Sequence, residues 1–199
     1  MASFSNLYCS VTYDSKPYLI MPTYIALLRG INVSGQKKIK MADLRQLLTD
    51  AGLDNVQTYL QSGNVVFRSE ADAEEAAQKI ERCILTHYGY AVEVIITTFA
   101  QLQKIFAENP FTSQNTQLLY VTFLAEAPIP DQLEKLQTRD YSPEAFVMRD
   151  NIIYILAANG YGRAKLNNNF LEKKLKVAAT TRNWKTVNAL LEMSTQGEK

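Results

Sequence analysis

The sequence predicts an α+β fold built from two ferredoxin-like lobes (β-α-β-β-α-β type) packed together, the second a degenerate copy of the first. Three observations carry this reading. Short apolar runs end at glycine or at polar turns, amphipathic segments of helical spacing separate them, and the order strand-helix-strand-strand-helix occurs in both halves. The 199 residues suffice for a sizeable core, and the hydrophobic fraction of 47% with 21% charged residues belongs to an ordinary globular chain.

Residues 1–21 lack the basic start and apolar run of a secretory signal and read as a disordered N-terminal extension, with an added strand as the alternative. The first lobe occupies 22–98. Its opening strand, Thr23 to Arg29, is a short apolar run closed by Gly30. From Met41 the positions Leu44, Leu47, Leu48 and Ala51 recur at helical spacing, with Gly52 placed as a C-terminal cap. Val56 to Leu60 and Val65 to Arg68 form a hairpin across Gln61-Ser62-Gly63-Asn64. Ser69 is expected to cap a long helix whose buried stripe runs Ala73, Ala76, Ala77, Ile80, Ile84 and His87, and Val92 to Thr97 returns as the fourth strand.

A linking helix and loop fill 99–117, and the second lobe runs over 118–199. Leu118 to Leu124 is a strand, Pro130 to Gln137 a helix, and Ala145 to Met148 with Ile152 to Ala157 a hairpin turning at Asp150-Asn151. Helices follow over Leu166 to Lys174 and Arg182 to Met193, the latter capped by Thr181 and burying Trp184, Val187, Leu190 and Leu191. No final strand is legible, hence the degenerate second copy. Both faces of the first strand of each lobe are apolar, so the lobes are expected to cover one another or join sheets.

The stretch Tyr24 to Asn32 resembles the opening signature of the domain-of-unknown-function 1697 family. The likeness continues through Lys40 to Arg45, Thr58 to Phe67, Asn109 to Phe111, Asn159 to Leu166 and Thr181 to Val187. The resemblance implies a two-lobed, ferredoxin-like architecture in a mostly bacterial group, without a reaction, substrate or catalytic residue. The chain departs from the pattern at Ser34, where the family more often has glycine, and at Ala164, where it tends to have serine.

Candidate binding residues follow from topology. In a split β-α-β-β-α-β unit the first two strands run parallel, so the exit of strand one and the hairpin after strand two lie at one end of the sheet. That end gathers Arg29, Asn32, Lys37 and Lys38 with Gln61, Ser62 and Asn64, beside the N-terminus of the first helix. Free N–H groups, a helix dipole and several cations there would suit a phosphate. A purely structural role is the alternative, with glycines serving turns, lysines solvated, and Gln61 and Asn64 satisfying hairpin backbone groups. Arg29, closing an apolar strand, has to reach water or an acceptor.

A second Gly-rich loop, Asn159 to Lys165, adds Arg163 and Lys165 but has neither P-loop nor dinucleotide-fingerprint spacing, and a plain strand-to-helix connection explains it equally well. Trp184 is expected in the core, in register with Val187, Leu190 and Leu191, with a stacking ring beside nucleotide-site donors as the alternative. Arg182 and Asn183 are expected to face outward and count among the candidate ligand residues.

Other chemistries find little material. One histidine cannot build a triad or a structural zinc site, and Cys9 and Cys83 make no disulfide framework, which fits a reducing cytoplasm; no metal and no cofactor are expected. No stretch approaches 18 uninterrupted apolar residues, so no membrane partner is expected. Twenty-one basic against twenty acidic residues leave a net charge of +1, so any attraction to anions has to be local. The expected function is binding of a phosphate-bearing small molecule or nucleotide near the lobe interface. The alternatives are a nucleic-acid-binding module, which the neutral charge disfavours, and an interaction or assembly protein without ligand chemistry.

Overall fold

The architecture is that of a computed structural model, which describes residues 21–33 and 35–195. The N-terminal extension, apart from Met21, and Ser34 lie outside the described residues. In the first lobe β1 (Thr23–Leu28) leads to α1 (Met41–Asp50), β2 (Asp54–Tyr59), β3 (Asn64–Arg68), α2 (Ala73–Tyr88) and β4 (Val94–Thr98). The strands form one antiparallel sheet in the order β2-β3-β1-β4, with Ala26 opposite Val65 on one side and Ile96 on the other. After α3 (Phe99–Ala107) the second lobe runs β5 (Leu119–Leu124), α4 (Pro130–Gln137), β6 (Ala145–Arg149), β7 (Ile152–Leu156), α5 (Asn168–Leu175), β8 (Ala179–Asn183) and α6 (Trp184–Thr195). Its sheet order, β6-β7-β5-β8, repeats that of the first lobe strand for strand.

The second copy is therefore complete. Ala179 to Asn183 is the strand that sequence reading missed, paired with β5 from Leu124↔Ala179 to Tyr120↔Asn183. Thr181 consequently lies in a strand rather than capping a helix. The cap of α6 is Asn183, whose side-chain oxygen accepts from Thr186 N at 2.8 Å. Two details of the long helix also differ. Asp72, not Ser69, accepts from the free N–H of Glu75 at 2.9 Å and caps α2. The buried stripe advances in steps of four, Ala76, Ile80 and Ile84, and the next step is Tyr88, which packs on the core and leaves His87 exposed.

Alternation along β1 explains why the whole strand is buried. Ala26 and Leu28 face α1 and α2, where they meet Leu44, Leu48, Ile80 and Ile84. Ile25 and Leu27 face the other lobe and share a core with Val121, Phe123 and Tyr154. Leu102 and Ile105 of α3 and Trp184, Val187 and Leu190 of α6 complete that core, so the two lobes share one apolar layer. Truncating a leucine buried to this degree costs roughly 2–5 kcal/mol. A third cluster, with Leu124, Ile153 and Ile155, lies under α4 and α5. Among the described residues no helix is long and apolar enough to cross a membrane.

Candidate functional site: the cleft between the lobes

The exit of β1 and the β2–β3 hairpin meet at one end of the first sheet, as topology requires. Leu28 N donates to Gly63 O at 2.8 Å, and Gly63 is packed so closely that a Cβ there would stand 2.7 Å from Leu28 Cβ. A φ of +77° adds a second reason for glycine at this turn. The second lobe brings β8 and α5 against the same end, and the space between them is a cleft of about 560 Å³.

Arg182 is the central residue of the cleft. It leaves the inner face of β8, an edge strand, and crosses to the first lobe. Its Nε donates to Asn64 Oδ1 at 2.5 Å, and Nη2 lies 3.0, 3.1 and 3.2 Å from the carbonyl oxygens of Leu28, Ser62 and Gly63. Nη1 donates to Thr180 Oγ1 at 2.7 Å and Thr181 O at 3.0 Å. Every acceptor is neutral. The residue is only 6% exposed, and desolvation pulls its pKa down to about 10, which still leaves it cationic at neutral pH. The expectation that Arg182 faces outward is thus reversed: the strand register turns it inward, and a guanidinium tolerates the position because its fork finds six oxygen acceptors.

Arg29 crosses in the opposite direction. Nε and Nη2 donate to Oε1 and Oε2 of Glu172 on α5 at 2.5 and 2.6 Å, a two-pronged charge-assisted pair that raises the arginine pKa. Glu172 Oε1 also accepts from Ala179 N at 2.8 Å, which ties the pair to the start of β8. The acceptor that Arg29 had to find is therefore a carboxylate of the other lobe. Nη1 makes none of these contacts, and the side chain keeps 37% exposure at the cleft rim.

The remaining expected residues divide by position. Lys37 and Ser62 line the cleft with the two arginines, Lys37 held by donation from Nζ to Ala91 O at 2.5 Å. Asn32 and Asn64 build the walls. Asn32, at φ +54°, donates to Ile39 O at 2.9 Å and Gln61 O at 2.8 Å and accepts from Ile39 N, stitching the loop to the hairpin. Asn64 is fully buried and donates to Tyr59 O and Ser62 Oγ while it accepts from Arg182. Lys38, Gln61, Arg163, Lys165 and Asn183 are exposed and do not line the cleft. Arg163 and Lys165 sit on the loop after β7, from which it is Tyr161 that reaches the cleft.

Tyr161 stacks on Tyr120 with ring centroids 4.4 Å apart, and its hydroxyl accepts from Asn168 N at 3.0 Å. Burial raises its pKa, so it stands as a neutral phenol. Tyr161, Asn168, Asn169 and Thr180 complete the second-lobe wall. Glu172, Thr180 and Asn168 carry no sequence signal of their own, since each lies in a short polar segment that reads as an ordinary helix surface or loop. No group of three or more metal-ligating side chains occurs among the described residues.

The chain matches a family model described as "Protein of unknown function (DUF1697)" over residues 21–154. It belongs to that family. In this DUF1697 protein the matched residues include the first-lobe half of the cleft, with Arg29, Lys37 and Asn64, whereas Tyr161, Glu172 and Arg182 lie beyond them. The resemblance seen at 159–166 and 181–187 therefore falls outside the matched stretch. The DUF1697 chain is also similar, at 26% identity and a TM-score of 0.72, to the solved structure of a conserved bacterial protein from Streptococcus pneumoniae. That likeness covers 87% of this chain and 99% of the other, both lobes included. None of the curated proteins matches the chain.

Proposed function

We propose that the cleft between the lobes holds a phosphate-bearing small molecule or nucleotide. The observation that carries this reading is the enclosed Arg182 cation, which has only neutral acceptors around it. A buried charge without a counter-charge leaves a positive potential in the space it borders, and low local dielectric strengthens it. Arg29 and Lys37 add two cations at the rim. Glu172 and Glu93 oppose Arg29 there, but among the described residues no carboxylate lines the cleft itself, so the cleft is positive on balance.

Because all of the Arg182 N–H groups are engaged, the ligand's anionic group is attracted by Arg182 and hydrogen-bonded by others: Lys37, the Nη1 of Arg29, and the side chains of Ser62 and Asn169. A cytoplasmic setting accompanies the reading, with Cys83 a free, half-buried thiol.

The test is a thermal-shift and calorimetric panel of nucleoside mono-, di- and triphosphates, pyrophosphate and sugar phosphates. At least one phosphate-bearing compound is expected to bind, and Lys37→Ala is expected to weaken it by roughly 1–2 kcal/mol. No binding from the whole panel, or binding unchanged in Lys37→Ala, would rule the cleft out as the site.

A further inference from the structure

The outer face of the second lobe carries a charged groove unconnected with the cleft. The C-terminal halves of α4 and α5 border a hollow of about 440 Å³ lined by Lys135, Arg139, Lys173, Lys174 and Lys176, with Gln132 and Thr138 the only other described residues on its wall. No carboxylate lines it, and none of the five cations joins an ion pair among the described residues. The carboxylate next in sequence to Arg139, that of Asp140, accepts from the N and Oγ of Ser142 at 2.8 and 2.6 Å. A basic side chain near a helix C-terminus complements the dipole, but one per end suffices for that. Five around one hollow leave a concentrated positive field on a chain whose net charge is only +1.

We propose that this groove docks the phosphodiester backbone of duplex nucleic acid. A single phosphate is satisfied by two or three donors, whereas five cations spread over two helix ends suit several phosphates in a row. A lining without apolar side chains offers nothing to insert into a membrane. It also offers no stacking platform for single-stranded bases: the neighbouring ring, Phe170, has Lys174 Nζ over its face at 5.7 Å. Contact through the backbone alone means binding without sequence preference.

Fluorescence anisotropy of the full chain with a labelled DNA duplex of about 20 base pairs, titrated between 50 and 200 mM salt, tests this directly. Five phosphate contacts predict a log–log slope of about −4.5, a loss of between roughly two and three orders of magnitude in affinity across that range. Lys135, Arg139 and Lys173 are exposed, so Lys135→Ala/Arg139→Ala/Lys173→Ala is expected to keep the wild-type melting temperature while reducing the slope to about −2. Arg45→Ala/Arg82→Ala/Lys185→Ala makes the same change in net charge at exposed positions elsewhere and is expected to leave the slope near the wild-type value. The proposal is overturned by absence of binding at the lowest salt, by an unchanged slope in the first triple variant, or by an equal loss in the second. Tighter binding to a single strand of equal length, or to phosphatidylserine vesicles, overturns it as well.

Discussion

The join between the lobes is made differently on its two sides. Along α3 the connections are neutral or exposed: Tyr154 OH donates to Ile105 O at 3.0 Å, and Lys104 pairs with Asp150 at 2.8 Å in solvent. At the cleft the connections are arginines, each reaching from its own lobe into the other, one paired with a carboxylate and one with none. An apolar interface closed by neutral hydrogen bonds would be the simpler way to hold two lobes, since a buried ion seldom repays its desolvation. The charged side is thus where structure departs from what stability alone asks for, and departures of that kind mark functional ground.

Removing each link in turn sharpens the contrast. Arg182→Ala strands the buried Asn64 amide oxygen and the carbonyls of Leu28, Ser62 and Gly63, and is expected to cost about 3 kcal/mol in urea unfolding. A loss below that of an ordinary surface substitution would show that water reaches these acceptors.

Tyr154→Phe removes one neutral hydrogen bond and is expected to cost about 1 kcal/mol at neutral pH. Burial pushes the Tyr154 pKa up to about 12 from the ordinary value of 10. The folded state therefore keeps a proton that the unfolded chain releases. The contribution of Tyr154 is complete below pH 10 and is lost as pH rises toward 12, so the stability of wild type should fall more steeply across that window than that of Tyr154→Phe. Parallel curves would contradict the assignment. Lys104→Ala, at the exposed pair, is expected to leave unfolding unchanged within error.

The fold was legible wherever local sequence and tertiary context agree. In the first lobe every strand is rich in β-branched or aromatic residues, and glycines such as Gly30 and Gly63 punctuate them, so all four strands could be read. In the second lobe the last strand, Ala179 to Asn183, is mostly polar and runs into α6 without a turn. Its polar character has a physical cause. Thr180, Thr181 and Arg182 all border the cleft, and Thr181 Oγ1 also meets Thr122 Oγ1 at 2.8 Å and Asn168 Oδ1 at 3.0 Å.

The candidate site divides along the same line. Arg29 and the hairpin were gathered by the topology of one lobe, but the partner of Arg29 stands 143 residues away on α5. Nothing in the local pattern of either segment points to the other. Arg182 is legible as a candidate, but a helical reading of 182–193 hides the strand alternation that turns it inward.

The central claim, that the cleft's excess positive charge recruits a phosphate-bearing ligand, is tested most directly by removing the carboxylate hydrogen-bonded to Arg29. Glu172→Gln keeps an acceptor for Ala179 N while it frees the guanidinium of Arg29 from its counter-charge. Calorimetric titration with the best compound of the phosphate panel should show tighter binding in Glu172→Gln than in wild type, by about 0.5–1 kcal/mol, and that gain should shrink as salt is added. Equal or weaker binding in Glu172→Gln at low salt would contradict the account.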